Sequence, residues 1–120
     1  MATILAVDDS PSMRQMVAFT LKSAGFDVTE AEDGAVALQK AKEGQFNLVL
    51  ADVNMPNMDG ITLVKEVKKL PNYKFTPICM LTTEAEASKM QEGKAAGAKA
   101  WIVKPFQPPK LLDVVSKLVA

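Results

Sequence analysis

Four short apolar runs each end abruptly in residues able to do chemistry. Thr3–Val7 runs into Asp8-Asp9, residues 47–51 into Asp52, residues 77–81 into Thr82-Thr83, and Ala100–Val103 into Lys104-Pro105. If these runs are neighbouring parallel strands, their carboxyl ends bring carboxylates, a hydroxyl and an ammonium into one pocket. Asp8, Asp9 and Asp52 held within about 5 Å would repel by roughly 3 kcal/mol per pair at an effective dielectric of about 20. A divalent cation relieves that repulsion, and all-oxygen ligands select a hard one: Mg²⁺, with Mn²⁺ also fitting. A carboxylate beside such an ion can attack phosphorus and become an aspartyl phosphate. The metal, Lys104, and the Thr82 hydroxyl with nearby backbone N–H groups can then each take a peripheral oxygen of the transferring phosphoryl group.

Each residue also has a plainer reading by itself. Asp8-Asp9 before Ser10-Pro11 suits a solvated helix start, Asp52 a turn or cap, Thr82 a helix cap, and Lys104 a surface lysine. What sets the joint reading apart is that every member falls at the same edge of the same expected sheet.

A chain of 120 residues is one ordinary domain, and 48% apolar with 23% charged residues is a soluble globular profile. Lys plus Arg and Asp plus Glu balance at 14 each, so no basic field recommends nucleic acid as a partner. No apolar run approaches transmembrane length, and residues 1–9 lack the charged region and long apolar run of a signal peptide. A cytoplasmic location without membrane contact is therefore expected. Cys79 is the only cysteine; it excludes an internal disulfide and a cysteine-rich zinc site, and within an apolar run it reads as a small buried residue. The absence of histidine excludes Ser-His-Asp and Cys-His catalysis, histidine–metal centres and a phosphohistidine of the chain's own.

The elements that must position these groups alternate regularly. After Asp8-Asp9, Ser10 can cap a helix with Pro11 at its first position, carrying Met13, Met16, Val17, Thr20, Leu21 and Ala24 at helical spacing and stopping at Gly25. Residues 26–30 suit an edge strand, and residues 34–42 a helix closed by Gly44. A third helix follows Gly60, with Leu63, Val64, Val67 and Leu70 inward, and Pro71-Asn72 ends it. Thr83 and Glu86 have capping-box spacing, opening a fourth helix with Met90 as its only large apolar residue and Gly93 costing it about 1 kcal/mol relative to Ala. Gly97 closes that helix. Pro108 or Pro109 starts the last, whose apolar face is wide: Leu111, Val114, Val115 and Leu118, with Leu112 and Val119 beside them. Five strands alternating with five helices make an α/β domain with a doubly wound parallel sheet. Ligands there bind beyond the strands' carboxyl ends, at the switch point in strand order. The second strand ends in nothing comparable, which suits the flavodoxin-like order 2-1-3-4-5.

With these elements placed, the chain resembles the receiver domains of bacterial two-component response regulators, and among them the CheY-like single-domain chemotaxis regulators. The motifs that carry the resemblance are Asp8-Asp9, Asp52 with the following Val53-Asn54-Met55-Pro56-Asn57-Met58-Asp59-Gly60, Leu81-Thr82-Thr83-Glu84, Ala96-Gly97-Ala98 and Val103-Lys104-Pro105-Phe106. It covers essentially the whole chain and implies a single receiver domain over residues 1–120. The resemblance implies that Asp52 is the phosphate acceptor. It implies that Mg²⁺ is held by Asp8 and Asp9, directly or through water, with Asp52 and the backbone carbonyl of Asn54. Thr82 and Lys104 would engage the phosphoryl group, and Lys104-Pro105 would be a cis peptide. Thr83 and Glu84 fall in the switch segment, and Asn54 and Glu84 match positions that influence how quickly the phosphoryl group is lost. Trp101 stands where receivers mostly carry a rotating Tyr or Phe, so a rotating indole and a fixed one are both open.

The implied function is a phosphorylation-activated signalling module with intrinsic self-dephosphorylation, not an enzyme. Its implied partners are a CheA-like histidine kinase as phosphodonor, a phosphatase, and an output protein such as the flagellar motor switch; the implied state is a monomer. Output is expected through the surface of the fourth helix, fifth strand and fifth helix. The competing readings are a phosphatase with an aspartyl-phosphate intermediate, a phosphate-sink receiver, and a flavodoxin-like electron carrier. The phosphatase folds place a second acid two residues after the nucleophile, where this chain has Asn54. The electron carrier needs a hydroxyl-rich phosphate loop where this chain has Asp8-Asp9.

Overall fold

Every apolar run of the sequence is a strand in the computed structural model, which describes residues 2–83 and 89–120. In chain order the elements are β1 (Thr3–Val7), α1 (Pro11–Ser23), β2 (Asp27–Ala31), α2 (Gly34–Glu43), β3 (Leu48–Asp52), α3 (Gly60–Lys68), a 3₁₀ turn (Pro71–Tyr73), β4 (Ile78–Thr82), α4 (Met90–Ala96), β5 (Ala100–Val103) and α5 (Pro108–Val119). The strands are all parallel, in the expected order β2-β1-β3-β4-β5. No helix is long and apolar enough to cross a membrane, among the described residues.

Side chains alternate across the sheet, and both faces are covered, which is why the strands read as unbroken apolar runs. Ile4, Ala6, Leu48, Leu50, Cys79 and Leu81 pack with Val17 and Leu21 of α1 and Leu111 and Val115 of α5. Leu5, Val7, Val49, Ala51 and Met80 pack on the other face with Ala37 of α2 and Leu63, Val64 and Val67 of α3. Leu50 is fully buried, and truncating it to Ala is worth about 2–5 kcal/mol of stability. The same burial pushes the Cys79 thiol up to about 12, so it stays protonated and inert.

Helix starts follow local chemistry. Ser10 Oγ accepts from the Met13 N–H at 3.4 Å, Asp33 Oδ1 from Val36 at 2.9 Å, and Asp59 Oδ1 from Thr62 at 2.7 Å. Gly97 ends α4 at φ +119°, a left-handed stop.

Several boundaries differ from the sequence reading. β2 begins at Asp27, because the Phe26 N–H is taken by Leu21 O at 3.1 Å and closes α1 instead. β3 and β4 each run one residue further than expected, since Asp52 pairs with Leu81 and Thr82 with Val103. The acid and the hydroxyl therefore sit within the ladder, not in the loops after it. Leu70 is half-buried and packs against the core; the chain turns there, and Tyr73 fills the core beside it. The Tyr73 hydroxyl lies 2.9 Å from the carbonyls of Ala41 and Gly44 and accepts from the Phe46 N–H at 3.3 Å. Ala24, expected at helical spacing in α1, is the exposed residue that follows the helix. The capping partner Glu86 lies outside the described residues, while Thr83 is half-buried.

Gly93 is the most instructive revision. By helix propensity alone it is a weakness of α4. It is instead the seat of Trp101: a Cβ there would run into indole Cη2 and lie 2.9 Å from Cζ2 and 3.1 Å from Cζ3. A side chain on α4 at this position and the β5 indole cannot both occupy the space.

Candidate metal and phosphoryl-transfer site

Asp8 follows β1 and is nearly fully buried. Its N–H donates to Ala31 O at 3.2 Å, its carbonyl accepts from Arg14 Nη1 at 2.8 Å, and its Oδ1 accepts from the Ser10 N–H at 2.9 Å. Arg14 is itself steadied by Glu30 of β2, Nε to Oε1 at 3.3 Å. Asp52 ends β3 and is buried too. Beyond it the chain closes tightly: Val53 N–H donates to Leu81 O at 3.1 Å and Gly60 N–H to Val53 O at 2.9 Å. Gly60 is required there, because a Cβ would collide with the Asp52 carbonyl oxygen.

Carboxylate oxygens of Asp8, Asp9 and Asp52 lie within 4.8 Å of one another. Asp9 is the exposed member. Lys104, after β5, places its Nζ 3.3 Å from both Asp8 Oδ2 and Asp52 Oδ1. Three carboxylates against one ammonium leave these four side chains at a net charge of −2. At 4.8 Å each pair of acids repels by about 3 kcal/mol with an effective dielectric of about 20, less for the solvated Asp9. Hard oxygen donors carrying that excess charge fit Mg²⁺.

Of the remaining expected residues, Thr82, Lys104 and Asn54 belong to the strand ends and loop at this edge. Thr82 is fully buried at the end of β4; its hydroxyl donates to Thr83 O at 3.2 Å, and its carbonyl accepts from the Lys104 N–H at 2.6 Å. The Lys104-Pro105 bond is cis, as the resemblance implied. Asn54 is exposed at the rim, where its side-chain oxygen accepts from Lys89 Nζ at 3.4 Å. Glu84 lies outside the described residues. Trp101 is apart from the acids, half-buried against Gly93. Its buried Nε1 finds no hydrogen-bond partner among the described residues.

Comparison with known proteins agrees with this arrangement. The response regulator receiver domain profile matches residues 4–116. The chain belongs to the response regulator receiver domain family. It is 40% identical over 116 residues to chemotaxis protein CheY-3 of Vibrio cholerae, covering 96% of this chain and 89% of that one. It is 43% identical over 115 residues to chemotaxis protein CheY of Bacillus subtilis, covering 95% and 94%. The solved structure of Vibrio cholerae CheY4 superposes with a TM-score of 0.94 at 53% identity, covering 98% of each chain. Members of this family are signalling proteins that bind Mg²⁺ through acidic residues.

Three residues in contact with the site or its loop were not singled out from the sequence: Arg14, Asp33 and Lys89. Asp33 carried a legible signal, an acid before a glycine at a helix start. Arg14 and Lys89 had none, since a surface lysine or arginine looks the same whether it faces solvent or an oxygen acceptor.

Proposed function

We propose that the chain, residues 1–120, works as one phosphorylation-switched receiver in a chemotaxis-type pathway of the cytoplasm. In this reading a histidine kinase donates the phosphoryl group and Asp52 accepts it. The observation that carries the proposal is the convergence of Asp8, Asp9 and Asp52 oxygens within 4.8 Å, with Lys104 Nζ 3.3 Å from two of these acids. Asp8, Asp9, Asp52 and the Asn54 carbonyl would hold Mg²⁺, which when bound supplies positive charge to the acids and the incoming phosphate.

An Asp52 carboxylate oxygen forms the new bond to phosphorus as the bond from phosphorus to the donor nitrogen breaks, and that nitrogen keeps the electron pair. Lys104 gives up part of its contact with Asp52 and donates to a phosphoryl oxygen, replacing one anionic partner with another at no loss of charge pairing. The buried Thr82 hydroxyl can turn from Thr83 O towards another phosphoryl oxygen, drawing the start of the β4–α4 connection inward. Hydrolysis by water returns the free carboxylate. Asn54, with Lys89 across the rim, and Glu84 would govern how water reaches the phosphorus.

Output would pass through α4, β5 and α5 to a partner protein. Two observations support that surface: Trp101 rests on Gly93, and Val103 is exposed. The test of the whole reading is labelling by acetyl phosphate with Mg²⁺. Wild type should take up one base- and hydroxylamine-labile phosphoryl group and Asp52→Asn none. Undiminished labelling of Asp52→Asn would assign the acceptor elsewhere.

A further inference from the structure

The loop after Asp52 is held from the side by two residues that the proposed chemistry does not use. Asp33 Oδ1 caps α2, while its Oδ2 accepts from Asn57 Nδ2 at 2.8 Å. Asn57 stands at φ +68°, the single non-glycine residue in the left-handed region among those described. That conformation turns its amide across to α2. Beside the hydrogen bond the two backbones touch: a Cβ on Gly34 would collide with the Met58 carbonyl oxygen and lie 2.8 Å from Met58 Cβ. The first turn of α2 thus forms a wall against which the loop leans. At its ends the same loop is pinned by Val53 and Gly60, and Met58 N–H donates to Pro56 O at 2.7 Å.

What this loop carries is Asn54, whose backbone carbonyl is the one ligand in the proposed metal set that is not a carboxylate. A carboxylate can reach an ion by changing rotamer. A backbone carbonyl cannot, because its direction is fixed by the peptide planes on either side. Whatever fixes the loop's dihedral angles therefore aims that ligand.

We propose that Asp33 and Asn57 are positioning residues for the divalent cation: their hydrogen bond, seated on the Gly34–Met58 contact, holds the loop so that the Asn54 carbonyl points into the acidic site. The inference rests on the metal reading given above, and neither residue touches the ion. The second strand ends in no group comparable to those at the other strand ends; this corner contributes from a distance.

Two substitutions isolate the hydrogen bond. Asn57→Gly keeps a residue that adopts positive φ freely and removes only the amide. Asp33→Ser keeps an acceptor for the Val36 N–H and removes the second oxygen. Mg²⁺ affinity is measured by calorimetric titration of wild type, both single variants and the double, with the Tm of each metal-free protein read alongside. Each single variant should bind Mg²⁺ roughly tenfold more weakly, the low end for outer-shell partners because Asn57 is exposed. The double should be no weaker than the poorer single, since both changes remove one interaction. A fall in Tm with unchanged Mg²⁺ affinity would reduce the pair to a helix cap and overturn the proposal, as would losses that add in the double. Failure of the wild type to bind Mg²⁺ would instead overturn the metal reading itself, and this inference with it.

Discussion

Gly93→Ala tests whether the indole of Trp101 depends on the missing side chain of α4. By helix propensity alone the change should stabilise α4 by about 1 kcal/mol. The geometry opposes it, because the new methyl would run into Cη2 and lie 2.9 Å from Cζ2. Trp101 pairs with Met80 in the β4–β5 ladder, so its backbone is held and the ring must rotate away. Moving a half-buried indole off its seat exposes on the order of 100 Å² of apolar surface, or roughly 2.5 kcal/mol at 25 cal/mol per Å². The balance is a loss of about 1.5 kcal/mol, which lowers Tm by roughly 6 °C for a chain of this length. Urea unfolding followed by circular dichroism measures the loss, and the emission of Trp101, the only tryptophan, should shift to the red. In a Trp101→Val background, followed by circular dichroism alone, the obstacle is gone and Gly93→Ala should gain about 1 kcal/mol. A single Gly93→Ala variant that is more stable than wild type, with unshifted emission, would refute the packing described for this pair.

Asp9→Ala should raise the stability of the metal-free protein by less than about 1 kcal/mol, because Asp9 is exposed, and should remove most of the thermal stabilisation Mg²⁺ gives the wild type; equal Mg²⁺ shifts in both proteins would contradict the metal site. Asp33→Ala should cost about 0.5–2 kcal/mol at neutral pH through the lost α2 cap. Hydrogen bonds from the Val36 N–H and then the Asn57 amide hold the Asp33 carboxyl below its ordinary value of 3.8. Its contribution is therefore complete above that value and disappears as pH falls through the lower folded one, so the two stability curves should converge in acid and not in base. Cys79, buried with its thiol at about 12, should resist iodoacetamide at pH 8 in the native state and react once the chain is unfolded in urea; rapid native labelling would show the β4 core to be open. Beryllofluoride with Mg²⁺ should change Trp101 emission in wild type but not in Asp52→Asn, and unchanged emission in an occupied wild type would move the output surface away from β5.

Much of the fold was legible because its signals are local. A strand covered on both faces must be apolar at every position, so Leu48–Asp52 announces itself and its carboxylate in one stretch. Caps act across three residues, so Ser10 could be read directly from the sequence and was found in place. The alternation of elements then fixed the parallel sheet, and the parallel sheet fixed which strand ends share an edge. That places Asp8, Asp9, Asp52, Thr82 and Lys104 on one edge from residue type and element order alone. The boundaries were less legible, since a ladder ends where its partner ends: Asp52 and Thr82 belong to their strands because Leu81 and Val103 lie opposite them.

Sequence by itself thus determined which groups would meet, through residue type and hydrophobic period. Only the tertiary structure decided how they are held. Lys104 reaches Asp8 across 96 positions and Asn57 reaches Asp33 across 24, and no local pattern announces either pairing. Gly93 reads in sequence as a flaw because propensity counts only the helix that contains it. It is a fitted surface once β5 brings Trp101 over it, and close packing admits an indole or a methyl in that space but not both.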